Sequence, residues 1–128
     1  IVGGDDNKIK KLKKLACSLN VDGNVKFYGL LEGDDLHKVY LNADMGMGSL
    51  ARHRSKIYQL SSLKNKEYLA YGLPLFYSEN DLDLDGQSFV FKILADESDV
   101  NYNSLVNWFD KLEVSNLEIM KFSENLTW

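Results

Sequence analysis

The chain has 128 residues, 45% of them hydrophobic and 27% charged, which suits one globular domain with an ordinary core. A net charge of −4 and a pI near 5.1 exclude a general nucleic-acid binder, which carries a basic domain. No apolar run approaches the ~18 residues of a membrane span, so a cytoplasmic location is expected. The single Cys17 cannot form an internal disulfide, and with only His37 and His53 beside it a His/Cys zinc site is not expected.

Residues 1–3 read as a short strand, opening without a methionine as if inside a longer protein. A helix is expected over 5–20, capped by Asp5 or Asp6, with Ile9, Leu12, Leu15, Ala16 and Leu19 along one buried face. Lys8, Lys10, Lys11, Lys13 and Lys14 cover the rest of it, either as a plain wet face or as a peripheral contact to an anionic membrane. After the turn at Asp22-Gly23-Asn24 come a strand over 25–28 and a helix over 34–42 with Leu36, Val39 and Tyr40 inward. A strand over 44–47 leads into a long loop, then a helix over 62–71 with Leu63, Tyr68, Leu69 and Ala70 as its buried side. Gly72 ends that helix and Pro74 prevents its continuation. Strands over 75–77 and 89–94 follow, separated by an acidic loop read as solvated, and helices over 102–112 and 115–125 close the chain. Strands alternating with helices imply right-handed crossovers and a mainly parallel sheet covered on both faces.

In such a sheet a ligand lies beyond the carboxyl ends of the strands. Of the loops leaving there, only 48–62 joins glycine, hydroxyls and cations ahead of a helix start. Gly48 and Ser49 let backbone N–H groups approach a diphosphate, and Arg52, His53, Arg54 and Lys56 can neutralise it. Ser61, Ser62 and Leu63 open the helix, and Lys64 falls in its first turn, where the uncapped N–H groups and the dipole favour an anion. Lys64 is therefore a phosphate-ligand candidate, with a surface lysine on an amphipathic helix as the plain alternative. Asp81-Leu-Asp83-Leu-Asp85-Gly86 begins like a calcium loop, but Lys92 stands at the twelfth position, where a glutamate is required. No metal is expected, and no G-x-G-x-x-G dinucleotide fingerprint is present.

Lys64-x-x-Glu67-Tyr68-Leu69-Ala70-x-Gly72-Leu73-Pro74, after the glycine-containing basic loop, resembles the donor-binding segment of bacterial group 1 (family 4) glycosyltransferases. Val25-Lys-Phe-Tyr-Gly29 is similar to that family's V-x-F-x-G unit, and Tyr40-Leu-Asn-Ala-Asp44 to its Y-x-x-A-D step. Ile1-Val-Gly-Gly and Trp128 fall where the family has a strand with a glycine turn and a late tryptophan. The resemblance runs over nearly the whole chain, in order. It implies one Rossmann-like three-layer α/β domain over 1–128, the C-terminal half of a two-domain GT-B glycosyltransferase. The substrate implied is a nucleoside-diphosphate sugar, used with retention and with no metal or other cofactor. A saccharide or lipid-linked saccharide acceptor would sit on the other domain, in surface polysaccharide assembly at the inner face of a bacterial membrane, and this segment alone would transfer nothing.

By the same resemblance Lys64 stabilises the leaving diphosphate, and Glu67 accepts hydrogen bonds from the ribose hydroxyls. Gly48, Ser49, His53, Arg54, Ser61, Ser62 and Leu63 would hold the nucleotide and its phosphates, with Tyr28 and Gly29 beside the base. Gln59 stands where the family has the first glutamate of its pair, a departure that touches the donor-sugar contact. Two other readings stay open. One is a non-catalytic Rossmann-like regulatory module such as a receiver domain, imitated by Asp5, Asp6 and Asp44, although Leu73 precedes Pro74 where a receiver has lysine. The other is an inactive glycosyltransferase relative.

Overall fold

A computed structural model describes residues 1–126, and the chain divides into two compact units, Ile1–Asn42 and Ala43–Trp128. Among the described residues the architecture is α/β, with five α-helices and one three-stranded parallel sheet. None of these helices is long and apolar enough to cross a membrane. The expectation at Trp128 lies outside the described residues.

In the first unit, helix α1 (Asp6–Ser18) starts where the extended backbone of Asp5 lets its carboxylate accept the Lys8 N–H at 3.0 Å. Helix α2 (Gly33–Leu41) keeps Leu36, Val39 and Tyr40 half-buried, as its periodicity predicts. The expected strands over 1–3 and 25–28 do not extend. They meet at one parallel bridge, Val2 to Gly29, with Tyr28 N–H donating to the Ile1 carbonyl at 2.9 Å. The cause is local: Gly3, Gly4 and Gly29 all take positive φ, at 81°, 94° and 72°, which turns the backbone out of an extended path. The apolar face of α1 consequently finds no sheet of its own unit to cover. Ala16 is buried, whereas Leu12, Leu15 and Leu19 are 41%, 53% and 61% exposed, against the expectation of a buried stripe.

The second unit carries the core. Strands β1 (Gly46–Met47), β2 (Leu75–Tyr77) and β3 (Val90–Lys92) pair in that order, with Gly46 opposite Leu75 and Leu75 opposite Val90. Helix α3 (Leu63–Ala70) lies between β1 and β2 in the chain, and α4 (Tyr102–Asp110) and α5 (Asn116–Ser123) follow β3. Two glycines let α3 press onto β1. A Cβ on Gly46 would fall 2.4 Å from the Tyr68 ring, and one on Gly48 would fall 2.8 Å from Asn65 Oδ1. Tyr68 and Asn65 are three positions apart, so one helix face meets alternate strand positions. The C-terminal end of α3 approaches α5 equally closely, since Gly72, at φ 73°, leaves its Cβ position only 2.6 Å from the Asn116 carbonyl. Helix α5 begins with a capping box, Ser115 Oγ accepting the Glu118 N–H while the Glu118 carboxylate accepts the Ser115 N–H.

Leu69, Leu75, Tyr77, Leu84, Phe89, Val90 and Ile119 form the core, with Tyr68 and Phe122 packed against it. Two expectations are corrected here. Leu63 is 62% exposed, because the first turn of α3 turns Asn65 and Lys66 inward in its place. The acidic loop between β2 and β3 is not simply solvated: Leu84 is wholly buried, and Glu79 and Asp81 are buried as well. A twelve-residue parallel crossover with no helix has to bury something of its own, and Leu84 supplies that anchor.

Candidate functional site at the start of helix α3

Ser62 occupies the cap position of α3 with extended backbone, but its hydroxyl makes no capping bond. The chain brings its own carboxylates there instead. Asp81 Oδ1 accepts the Asp83 N–H at 3.2 Å, Ser61 Oγ donates to Asp83 Oδ2 at 3.3 Å, and the buried Lys66 places its ammonium 3.4 Å from the same oxygen. Acidic groups therefore stand near the start of α3, where the helix dipole favours negative charge. Tyr77 donates to Asp85 at 2.7 Å and Lys92 stands 3.1 Å from that carboxylate, which ties the far end of the acidic loop to the sheet.

Burial pushes the Asp81 carboxyl above its ordinary range, helped by the Asp83 charge and opposed by N–H donors from Asp83 and Ser62 and by Lys66. A carboxyl raised on folding contributes most below its unfolded value near 3.8, and this contribution is lost as pH rises through the folded value. Asp81→Asn should therefore be more stable than wild type at pH 7, and the gain should vanish at pH values below the ordinary carboxylate range. Urea unfolding at both ends of that window checks it; an equal loss at both would show that the carboxylate's hydrogen bonds outweigh its burial.

Lys64 stands on the exposed side of the first turn of α3. Its ammonium is pushed below the ordinary lysine value, first by partial desolvation and further by the charge of Arg52, while the Glu79 carboxylate opposes the shift. Arg52 comes from a short 3₁₀ helix, Arg52–Ser55, in the loop after β1, so the two cations arrive from different elements. Glu79 is 97% buried and its Oε1 has no hydrogen-bond partner. Lys64, in the first turn of α3, thus lies within the electrostatic reach of one further cation and one buried carboxylate. Arg52 was one basic residue among several in the sequence, and Glu79 belonged to a loop read as solvated. Only the tertiary fold sets them against Lys64. Glu67 lies three positions after Lys64, on the same side of α3, and is half-buried.

Two other basic residues of the loop, His53 and Arg54, are engaged by Glu97. Arg54 donates through Nε and Nη2 to the two oxygens of Glu97 at 2.8 and 2.5 Å, and His53 Nε2 sits 2.8 Å from Glu97 Oε1. These bonds, Arg54's first, hold the Glu97 carboxyl down to about 2. A cavity of about 660 Å³ lies beside this cluster, lined among others by Leu50, Ile93, Asp96 and Tyr102. Ser49 accepts the Ser78 N–H at 3.1 Å, and Gly48 donates to the Phe76 carbonyl at 2.8 Å, so both are tied to β2 and the residue after it. Gln59 forms a parallel bridge with Asn80. Tyr28, which is exposed, and Gly29 belong to the first unit. Among the described residues no group of three or more His, Cys, Asp or Glu is placed to hold a metal ion. Compared with known proteins, the chain matches no family model, no curated protein and no solved structure.

Proposed function

We propose that the chain is the donor-binding domain of a GT-B glycosyltransferase that holds a nucleoside-diphosphate sugar for transfer to a saccharide acceptor. The observation that carries the reading is the place of Lys64, partly desolvated and within reach of the Arg52 charge, in the first turn of the helix that follows β1 in a parallel sheet. Like charges held close and partly desolvated are unfavourable alone and favourable around an anion. Sugar transfer leaves a nucleoside diphosphate, so cations at its phosphates stabilise charge that grows in the transition state. In this reading Lys64 and Arg52 take the diphosphate, Glu67 takes the ribose hydroxyls, and transfer needs no metal because side-chain cations neutralise the leaving group. The parallel order β1-β2-β3 with α3 between the first two strands supports a Rossmann-like domain. A cytoplasmic enzyme acting on lipid-linked or surface saccharides completes the proposal.

The test is a heteronuclear NMR titration of the chain with a nucleoside diphosphate and the matching monophosphate. The diphosphate should bind tighter, and amides of Arg52, Lys64 and Glu67 should shift first. Shifts confined to the acidic loop between β2 and β3, or binding that requires an added divalent cation, would overturn it.

A further inference from the structure

Arg52, His53 and Arg54 are consecutive in a 3₁₀ helix of four residues. With three residues per turn, successive side chains leave such a helix roughly 120° apart. A group that grips the second and third side chains therefore sets where the first one points. Glu97, from the loop after β3, is that group. It receives a bidentate fork from Arg54, the geometry in which a surface ion pair is most specific, and its Oε1 also faces the nine-tenths buried ring of His53. The 3₁₀ helix needs such a clamp. It is too short to hold itself, and it ends at Lys56, a non-glycine residue forced to φ 58°.

We infer that Glu97 is a positioning residue, which fixes the rotation of the 3₁₀ helix and with it the direction in which Arg52 leaves the loop. The inference rests on the donor-site reading for its consequence, though the clamp itself does not. Glu97 touches no ligand; it acts through Arg52. The two roles a surface glutamate could play predict opposite signs. As a mere negative charge near an anion site it would weaken anion binding, and its removal would tighten it. As a clamp it supports binding, and its removal weakens it.

The experiment uses the intact chain, with inorganic pyrophosphate as the probe in calorimetry, on wild type, Glu97→Gln, Arg52→Ala and the double variant. Glu97→Gln should weaken pyrophosphate roughly tenfold, about as Arg52→Ala does, and the double variant should bind no worse than Arg52→Ala alone. In the same proteins without ligand, ¹⁵N relaxation at the Arg52 amide should show a rigid backbone in wild type and a mobile one in Glu97→Gln. Tighter or unchanged binding in Glu97→Gln, or additive losses in the double variant, would overturn the inference. A wild type that ignores pyrophosphate would sink the donor-site reading, and the relaxation data would still judge the clamp: equal order at Arg52 in both proteins overturns it.

Discussion

On the donor-domain reading, Lys64→Ala should lower the turnover of the enzyme that carries this domain about a hundred- to a thousandfold, roughly 2.7–4 kcal/mol of barrier, while leaving the fold at least as stable as before. The two halves of this expectation come from the same observation. Lys64 is partly desolvated and feels the repulsion of Arg52, so in the ligand-free protein its charge is a burden only partly offset by Glu79. Removing it relieves that burden. With a diphosphate bound the sign reverses, and the charge counts most when the bond to the sugar breaks. The loss should accordingly fall on kcat more than on donor affinity. Because the Lys64 ammonium sits below the ordinary value of 10.5, activity should also decline with rising pH earlier than an ordinary lysine would dictate. Steady-state kinetics with thermal unfolding of the same samples decides the matter. Turnover within about twofold of wild type, under ~0.5 kcal/mol, would make Lys64 a surface residue.

The element order was largely readable from the residues. Asp5 before α1, Gly72 after α3 and Ser115 with Glu118 at α5 are local signals, and local signals survive folding. What failed depended on partners far away in the chain. The 1–3 and 25–28 segments had strand-like residues, yet glycines at positive φ cut both short, and the α1 stripe was left exposed. The acidic loop looked solvated because its letters are polar, whereas one leucine, Leu84, draws the whole crossover inward. The candidate site shows the same division. Lys64 was found from its place in a helix turn. Arg52 was one of four basic residues expected to neutralise a diphosphate, while Glu79 and Glu97 were not singled out, because their roles follow from contacts between distant loops. Gly48 is a third kind of case. Its smallness was legible, and it was assigned to ligand approach, while the fold also requires it for packing against Asn65 and Tyr77.

Gly48→Ala should therefore damage the fold itself, by about 1–3 kcal/mol or more, in the absence of any ligand. The added methyl would stand 2.6 Å from Tyr77 Cβ, 2.8 Å from Asn65 Oδ1 and 3.3 Å from the Phe76 carbonyl. None of these is the loose end of a long side chain. Tyr77 is wholly buried in the core, Phe76 O accepts the Gly48 N–H, and Asn65 is buried in the first turn of α3. Relief has to come from β1 separating from β2 or from α3 lifting off β1. Lifting α3 would also move Lys64 away from Arg52, so pyrophosphate binding should weaken along with stability. Gly46→Ala gives the comparison: the atoms nearest its methyl all belong to the half-buried Tyr68 ring, the closest at 2.4 Å, a side chain and not backbone. Chemical unfolding of the two variants should rank Gly48→Ala as the more damaging. If Gly48→Ala unfolds like wild type yet loses pyrophosphate, the glycine serves the ligand's approach alone, and the tight seat of α3 on β1 is not what fixes Lys64 in place.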